Sequence, residues 1–148
     1  MKWVLDTNVV SEIGRKRPSP AVLAWTARQP TEDTAISIVT LAELRSGADA
    51  APDERQRREL IAWLDDTVLR SFDGRVLPLT LQILTDWVSS GRRLAASRTT
   101  REASDLLIAS TARIHNLTVV TRNTRDFEGT GVTVYNPWTG ETQKMETI

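Results

Sequence analysis

Five positions with oxygen-bearing side chains carry the chemistry of this sequence. They are Asp6 in Asp6-Thr7-Asn8, Glu43 in Thr40-Leu41-Ala42-Glu43-Leu44, Asp105 in Ser104-Asp105-Leu106-Leu107-Ile108-Ala109, and Asn123 and Asp126 in Thr121-Arg122-Asn123-Thr124-Arg125-Asp126-Phe127. Carboxylates brought together from such distant segments repel one another unless a cation sits among them. With oxygen donors only, and no Cys or His in the set, hard Mg2+ or Mn2+ is favoured over zinc. An ion held in this way activates water and offsets the charge that builds on a phosphodiester during in-line displacement, so phosphodiester hydrolysis is the natural reaction class.

That chemistry requires the acids to converge, and the elements between them predict that they do. Lys2 to Leu5 reads as a short buried strand, after which Asp6-Thr7-Asn8 starts a helix that Gly14 ends. Ser19-Pro20 makes an N-cap and first-turn pair for a helix carrying Val22, Leu23 and Trp25, closed by Pro30. Thr34 to Ile38 is a second strand, and a helix beginning at Thr40 and stopping near Gly47 puts Glu43 in its first turn. A longer helix starts at about Asp53. Val76 to Leu79 is a third strand, followed by a helix with Leu81, Leu84, Trp87 and Val88 on one side and an end at Gly91; the basic stretch from Arg92 to Ala103 is left open between loop and helix. Asp105 opens the helix Leu106 to His115, Asn116 caps it, Leu117 to Val120 is a strand, and Val132 to Tyr135 is the last one.

Strands alternating with helices define an α/β class with a mostly parallel sheet. Residues that end a strand or begin the following helix then share the carboxyl edge, where open α/β sheets bind ligands. Asp6, Glu43, Asp105, Asn123 and Asp126 all fall there.

The bulk composition bounds the rest. A chain of 148 residues, 40% hydrophobic and 26% charged, fits one domain spanning 1-148, with residues 139-148 a polar, peripheral tail. The absence of cysteine excludes disulfides, thiolate catalysis and thiolate zinc sites and suits a reducing compartment, with the cytoplasm as the default. No apolar run has membrane-spanning length. With 19 basic and 19 acidic residues there is no bulk attraction to nucleic acid, so RNA binding falls to local arginines: Arg15, Arg17, Arg92, Arg93, Arg98, Arg101 and Arg122. His115, at a helix end, is assigned no chemistry.

These signatures, with the closing Asn136-Pro137-Trp138, resemble a PIN-domain ribonuclease of the VapC/FitB toxin type over nearly the whole chain. The resemblance implies an α/β/α sandwich with a parallel sheet, a homodimer, Mg2+- or Mn2+-dependent RNA cleavage, and neutralisation by a cognate antitoxin protein whose C-terminal segment crosses the acidic groove. It makes Asp6, Glu43 and Asp105 the core metal site. The family often places Asp where this chain has Asn123, while other members rely on the acid matching Asp126, so both are candidates for the fourth position. Thr7, Asn8 and Thr121 are expected to hydrogen-bond the acids and orient them. Two other readings remain at this stage: a degenerate module that binds RNA or a partner without cutting, motivated by Asn123, and a haloacid-dehalogenase-like phosphatase using Asp6 as nucleophile, which is disfavoured because Asn8 stands where that class has a second Asp.

Overall fold

A computed structural model describes residues Met1–Ile148. Its strands are β1 (Trp3–Leu5), β2 (Thr34–Ser37), β3 (Val76–Leu77), β4 (Thr118–Val120), β5 (Thr133–Asn136) and β6 (Glu141–Lys144), forming one sheet in the order β3-β2-β1-β4-β5-β6. The first five are mutually parallel, and β6 is antiparallel to β5. From β1 the chain steps outward through β2 to β3, then returns to the other side of β1 with β4 and continues outward to β5. The topological switch point therefore lies between β1 and β4, which is where such a sheet opens a crevice at its carboxyl edge.

Successive strand residues point to opposite faces, and the core divides accordingly. Val4, Ala35, Val119 and Val134 pack with Ile108, Ala109 and Ala112, whereas Leu5, Ile36 and Val120 pack with Val9, Val22, Trp25, Leu64 and Val68. Each of the buried Val, Leu and Ile side chains among them contributes about 1.5–3 kcal/mol. The first face is covered by α7 (Ala103–His115), which packs against α6 (Leu81–Ala96). The second is covered by α1 (Thr7–Ile13), α2 (Pro20–Arg28), α3 (Ile38–Asp49) and α4 (Glu54–Trp63). This is the expected α/β/α sandwich. A π-helical turn, Leu64–Val68, runs on from α4 into the short α5 (Leu69–Ser71). Trp3, Trp25 and Tyr135 form an aromatic cluster with ring centroids 5.3–5.6 Å apart, fastening α2 to β1 and β5.

Several boundaries differ from the sequence reading. Helix α3 begins at Ile38 because Ser37 Oγ accepts the Val39 N–H, so Thr40 lies in its first turn and Glu43 one turn further in. It also runs past Gly47 to Asp49, since glycine in a helix is only weakly unfavourable. Likewise α6 passes through Gly91 and ends at Ala96, which settles the basic stretch as helix up to that point and irregular backbone beyond it. Helix α7 starts two residues before Asp105, with Glu102 as N-cap and Asp105 in the first turn.

The C-terminal segment is not peripheral. Strand β6 pairs with β5, Met145 is buried in the α7-side core, and Thr147 bridges Thr130. Its alternation is hidden because β6 is an exposed edge strand of Glu, Thr, Gln and Lys, so no apolar face betrays it.

Candidate active site

Asp6 leaves the end of β1 as the N-cap of α1, with its Oδ1 accepting the Thr7 N–H at 2.8 Å. Its Oδ2 accepts hydrogen bonds from Thr121 Oγ1 at 2.8 Å and from Asn8 Nδ2 at 3.1 Å. Thr121 follows β4 directly, so the two strands flanking the switch point are joined through this carboxylate. Asn8 completes the joint: its Nδ2 also reaches Thr121 Oγ1 at 3.2 Å and its Oδ1 accepts the Arg122 N–H at 3.1 Å. Thr121 Oγ1 in turn accepts the Asn123 N–H at 3.0 Å, setting the turn that leads to Asp126.

Thr7 performs the same service for Glu43, donating from Oγ1 to Oε1 at 2.7 Å. Buried Thr40 lies beneath this pair, its Oγ1 3.4 Å from that of Thr7. The sequence singles out Thr40 as a helix start, not as a neighbour of the Thr7–Glu43 pair. It lies inside the signature that holds Glu43, but its role becomes visible only once the helix is seen to begin at Ile38.

The acids sense one another. Burial raises the Asp6 carboxyl above its usual range, and the negative charges of Glu43 and Asp126 add to the shift against the hydrogen bonds from Thr121 and Thr7. Asp105 is pushed up to about 7, first by burial and then by the charges of Asp6, Asp126, Glu43 and Glu102. Glu102 is a further carboxylate absent from the expected set, and it borders the site as the N-cap of α7. Like charges thus meet at the switch point at a cost to the ionised forms of Asp6 and Asp105, an arrangement common at functional sites.

An ion of the Mg2+ class fits this donor set in chemistry, because every donor is oxygen, the carboxylates repel, and two of them are aimed by neighbouring hydroxyl groups. No three of the carboxylates are close enough together to form a ready-made cage. Asp126 is exposed within the 3-10 turn Thr124–Phe127, and the exposed Asn123 precedes it with no hydrogen bond from its amide side chain.

The arginines divide. Arg122 stacks over the Trp138 ring at 5.1 Å beside the site, and Arg15 pairs with the buried Glu12 at 3.5 Å. Arg93 bonds the Ile148 carbonyl and Ser90, and Arg101 bonds the Glu128 carbonyl and pairs with its carboxylate, so both have structural partners. Arg98 lines a separate open hollow with Arg101 and Trp87 beside α6 and α7. Arg17 and Arg92 are exposed and make no ion pair.

Residues 3–132 match the model of the PIN domain. The chain belongs to the PIN-domain family. It is 38% identical over 135 residues to the VapC ribonuclease Y4jK of Sinorhizobium fredii, covering 91% of this chain and 96% of that one. It is 37% identical over 142 residues to toxin FitB of Neisseria gonorrhoeae, covering 91% and 97%. Among solved structures, FitAcB from Neisseria gonorrhoeae superimposes with a TM-score of 0.85 at 35% identity, covering 92% of this chain and 98% of that one. The layered fold is therefore that of a PIN domain. No helix is long and apolar enough to cross a membrane.

Proposed function

We propose that this PIN domain, acting as one unit over residues 1–148, is a metal-dependent endoribonuclease and the toxin of a toxin–antitoxin pair. The observation that carries the reading is the group of mutually repelling carboxylates at the switch point, with Asp105 pushed up to about 7. Asp6, Glu43 and Asp105 are the side chains that would hold Mg2+ or Mn2+, with Asp126 as the fourth acid and Asn123 a neutral oxygen donor beside it. A bound ion supplies charge neutralisation and an activated water for phosphodiester cleavage.

The chain's own residues prepare that step. Thr121 and Asn8 fix the orientation of Asp6, and Thr7 fixes that of Glu43. Arg122, steadied on Trp138, offers a guanidinium to the RNA backbone at the same edge. Arg15 follows α1 and borders a hollow shared with α3, and Arg17 lies exposed further along the same loop; both extend the cationic contacts beyond α1. Arg92, Arg93, Arg98 and Arg101 lie on the α6–α7 side, and Arg98 and Arg92 are the ones there not held by backbone or carboxylate partners.

Similar solved structures include DNA-bound VapBC of Salmonella typhimurium and VapBC-5 of Mycobacterium tuberculosis, a member of the VapBC family of toxin–antitoxin systems, which supports a cognate antitoxin as the natural partner. Leu81, 82% exposed, with Leu84 and Val88 on α6, is the apolar surface a homodimer would cover. A cysteine-free chain suits the cytoplasm.

The test is cleavage of a cellular RNA pool by purified protein with Mg2+ or Mn2+, with EDTA, and with Asp6→Ala. Metal-dependent cutting lost in the variant is expected. Wild-type protein that binds RNA but never cuts it would favour the non-cutting module suggested by Asn123.

A further inference from the structure

A cavity of about 210 Å³ lies between α1, α2 and the π-helical turn Leu64–Val68, and none of Asp6, Glu43, Asp105, Asn123 or Asp126 lines it. Its depth is apolar, formed by the buried Leu5, Val10 and Val68. Its rim carries the exposed hydroxyl residues Thr31, Thr67 and Ser71. A buried apolar body with a few polar groups at the mouth is the usual make-up of a small-molecule site.

The walls are fixed in place. A Cβ on Gly14 would lie 2.6 Å from Trp63 Cε2 and closer still to Cζ2, so the indole of Trp63 rests directly on the glycine backbone and presents a set aromatic wall. On the opposite side Gln29 is held at both ends of its amide: Oε1 accepts the Trp3 Nε1–H at 3.0 Å, and Nε2 donates to the Trp25 carbonyl at 3.2 Å. Immediately after Trp63 the helix widens into the π-helical turn, which contributes Thr67 and Val68 to the lining. Turns of this kind recur at functional sites, and nothing at the acidic edge uses this one.

Charge narrows the choice of ligand. Arg75 is the one charged residue on the lining, and no Asp or Glu borders the cavity. Its guanidinium is half-buried over the Phe72 ring at 5.2 Å. Every hydrogen bond it makes goes to a neutral oxygen: Nη1 donates to the Thr31 and Thr34 carbonyls at 2.6 Å and to Thr34 Oγ1 at 2.9 Å, and Nη2 donates to the Ser71 carbonyl. Arg75 makes no ion pair, and its Nε–H has no partner. These bonds fix the guanidinium in position while leaving its charge uncompensated, and a carboxylate is the group that a held guanidinium binds best. An apolar cavity of about 150 Å³ takes up a benzene ring. The larger space here therefore suits one ring together with a carboxylate.

We infer that this cavity binds a small aromatic monocarboxylate, with its ring against Trp63 and Val68 and its carboxylate at Arg75. The site is separate from the acidic edge and independent of the nuclease reading.

The test titrates the full chain, free of divalent metal, with phenylacetate, its neutral analogue phenylacetamide and its cationic analogue phenethylamine, followed by proton–nitrogen correlation NMR. Phenylacetate is expected to shift the Arg75 Nε–H signal and the Thr67 and Ser71 amides saturably, with a Kd of about 1 mM or tighter. Phenylacetamide should bind about ten-fold more weakly, and phenethylamine should leave these signals unmoved. Arg75→Gln should bring phenylacetate down to the level of the amide. Because Arg75 also joins Ser71 to Thr31 and Thr34, a second variant leaves it intact: Thr67→Phe fills the mouth from an exposed position and should abolish binding, with far-UV circular dichroism as the check on folding. Equal binding of acid and amide, no saturable shift with either, or shifts centred on another arginine would overturn the assignment. Glycyl-phenylalanine binding more tightly than phenylacetate would give the cavity to a chain terminus and overturn it equally. Loss of RNA cleavage in other experiments leaves this inference untouched.

Discussion

Thr121 Oγ1 donates a 2.8 Å hydrogen bond to Asp6 Oδ2 although 115 positions separate the two residues, and both groups are buried. The bond ties the ends of β1 and β4 together across the switch point and also orients the candidate metal-holding carboxylate. Replacing Thr121 with Val keeps the shape and removes the donor. Metal-dependent RNA cleavage is expected to fall about 10–100-fold, the usual effect of removing a group that orients a ligand. Stability should fall by about 1–3 kcal/mol, because a buried carboxylate loses a partner. Thr121→Ser, which restores the hydroxyl, should recover most of both; cleavage rates beside thermal melts decide it.

Asp105 makes the metal-free protein sensitive to pH. Its carboxyl titrates at about 7 in the folded chain against an ordinary value of 3.8, so between those limits the folded state holds a proton that the unfolded state has lost. Stability contributed by this group is full below the ordinary value, declines as pH rises through the window, and is flat above about 7. Melting temperature of the EDTA-treated protein should follow that slope, and Asp105→Asn should flatten it. Mn2+ added near pH 6 should release protons, measurable in a weakly buffered titration, because the ion competes with the proton on the same carboxylate. A pH-independent melting curve for the wild type would contradict the crowding of charge described for this edge.

Much of the site was legible because its residues sit in local signatures at strand ends, where one physical rule, parallel strands opening at their carboxyl edge, gathers them. Asp6 as an N-cap and Asn116 as a left-handed cap with φ 54° were readable from residue type alone. Glu43 was placed at the right edge but in the wrong turn, because Ser37 and Thr40 are both acceptable caps and only the strand register decides between them. The place of Glu102 beside the site, the position of Thr40 beneath Thr7 and Glu43, and the seat of Trp63 on Gly14 were not legible. Each depends on contacts between segments far apart in sequence, and the pressure of Trp63 on Gly14 leaves no local pattern. The β6 strand escaped for a different reason, since an exposed edge strand carries no apolar alternation.

Arg113 on α7 holds Asp86 on α6 in a half-covered ion pair, and its guanidinium also donates to Ser90, Ser110 and the Thr130 carbonyl. Burial by itself would raise the Asp86 carboxyl, but hydrogen bonds from Arg113 and Ser110 and the charges of Arg113 and Arg93 hold it below the usual range. Its contribution is therefore present above the ordinary carboxylate value and is lost as pH falls through the lowered one. Arg113→Ala leaves Asp86 and the Thr130 carbonyl without their main partner and should cost about 2–4 kcal/mol at neutral pH, less than that in acid. Urea denaturation at pH 7 and pH 3 measures both. Because the pair lies behind α7 rather than at the acidic edge, Asp86→Asn should retain RNA cleavage in a folded protein.

Gly14→Ala tests how the indole of Trp63 is seated. The backbone at Gly14 is an ordinary right-handed turn, so alanine meets no conformational penalty there, and a merely conformational glycine would be replaced with little change or a slight gain in stability. The added methyl, however, falls 2.6 Å from Trp63 Cε2, and either the ring or the loop after α1 must move. Overpacking of this kind costs about 1–3 kcal/mol. The melting temperature should drop accordingly, with a change in near-ultraviolet circular dichroism as the indole leaves its seat. The double variant Gly14→Ala with Trp63→Phe removes the atoms that collide and should recover part of the loss. Its recovery, or its failure to recover, separates a glycine kept for its neighbour from one kept for its backbone.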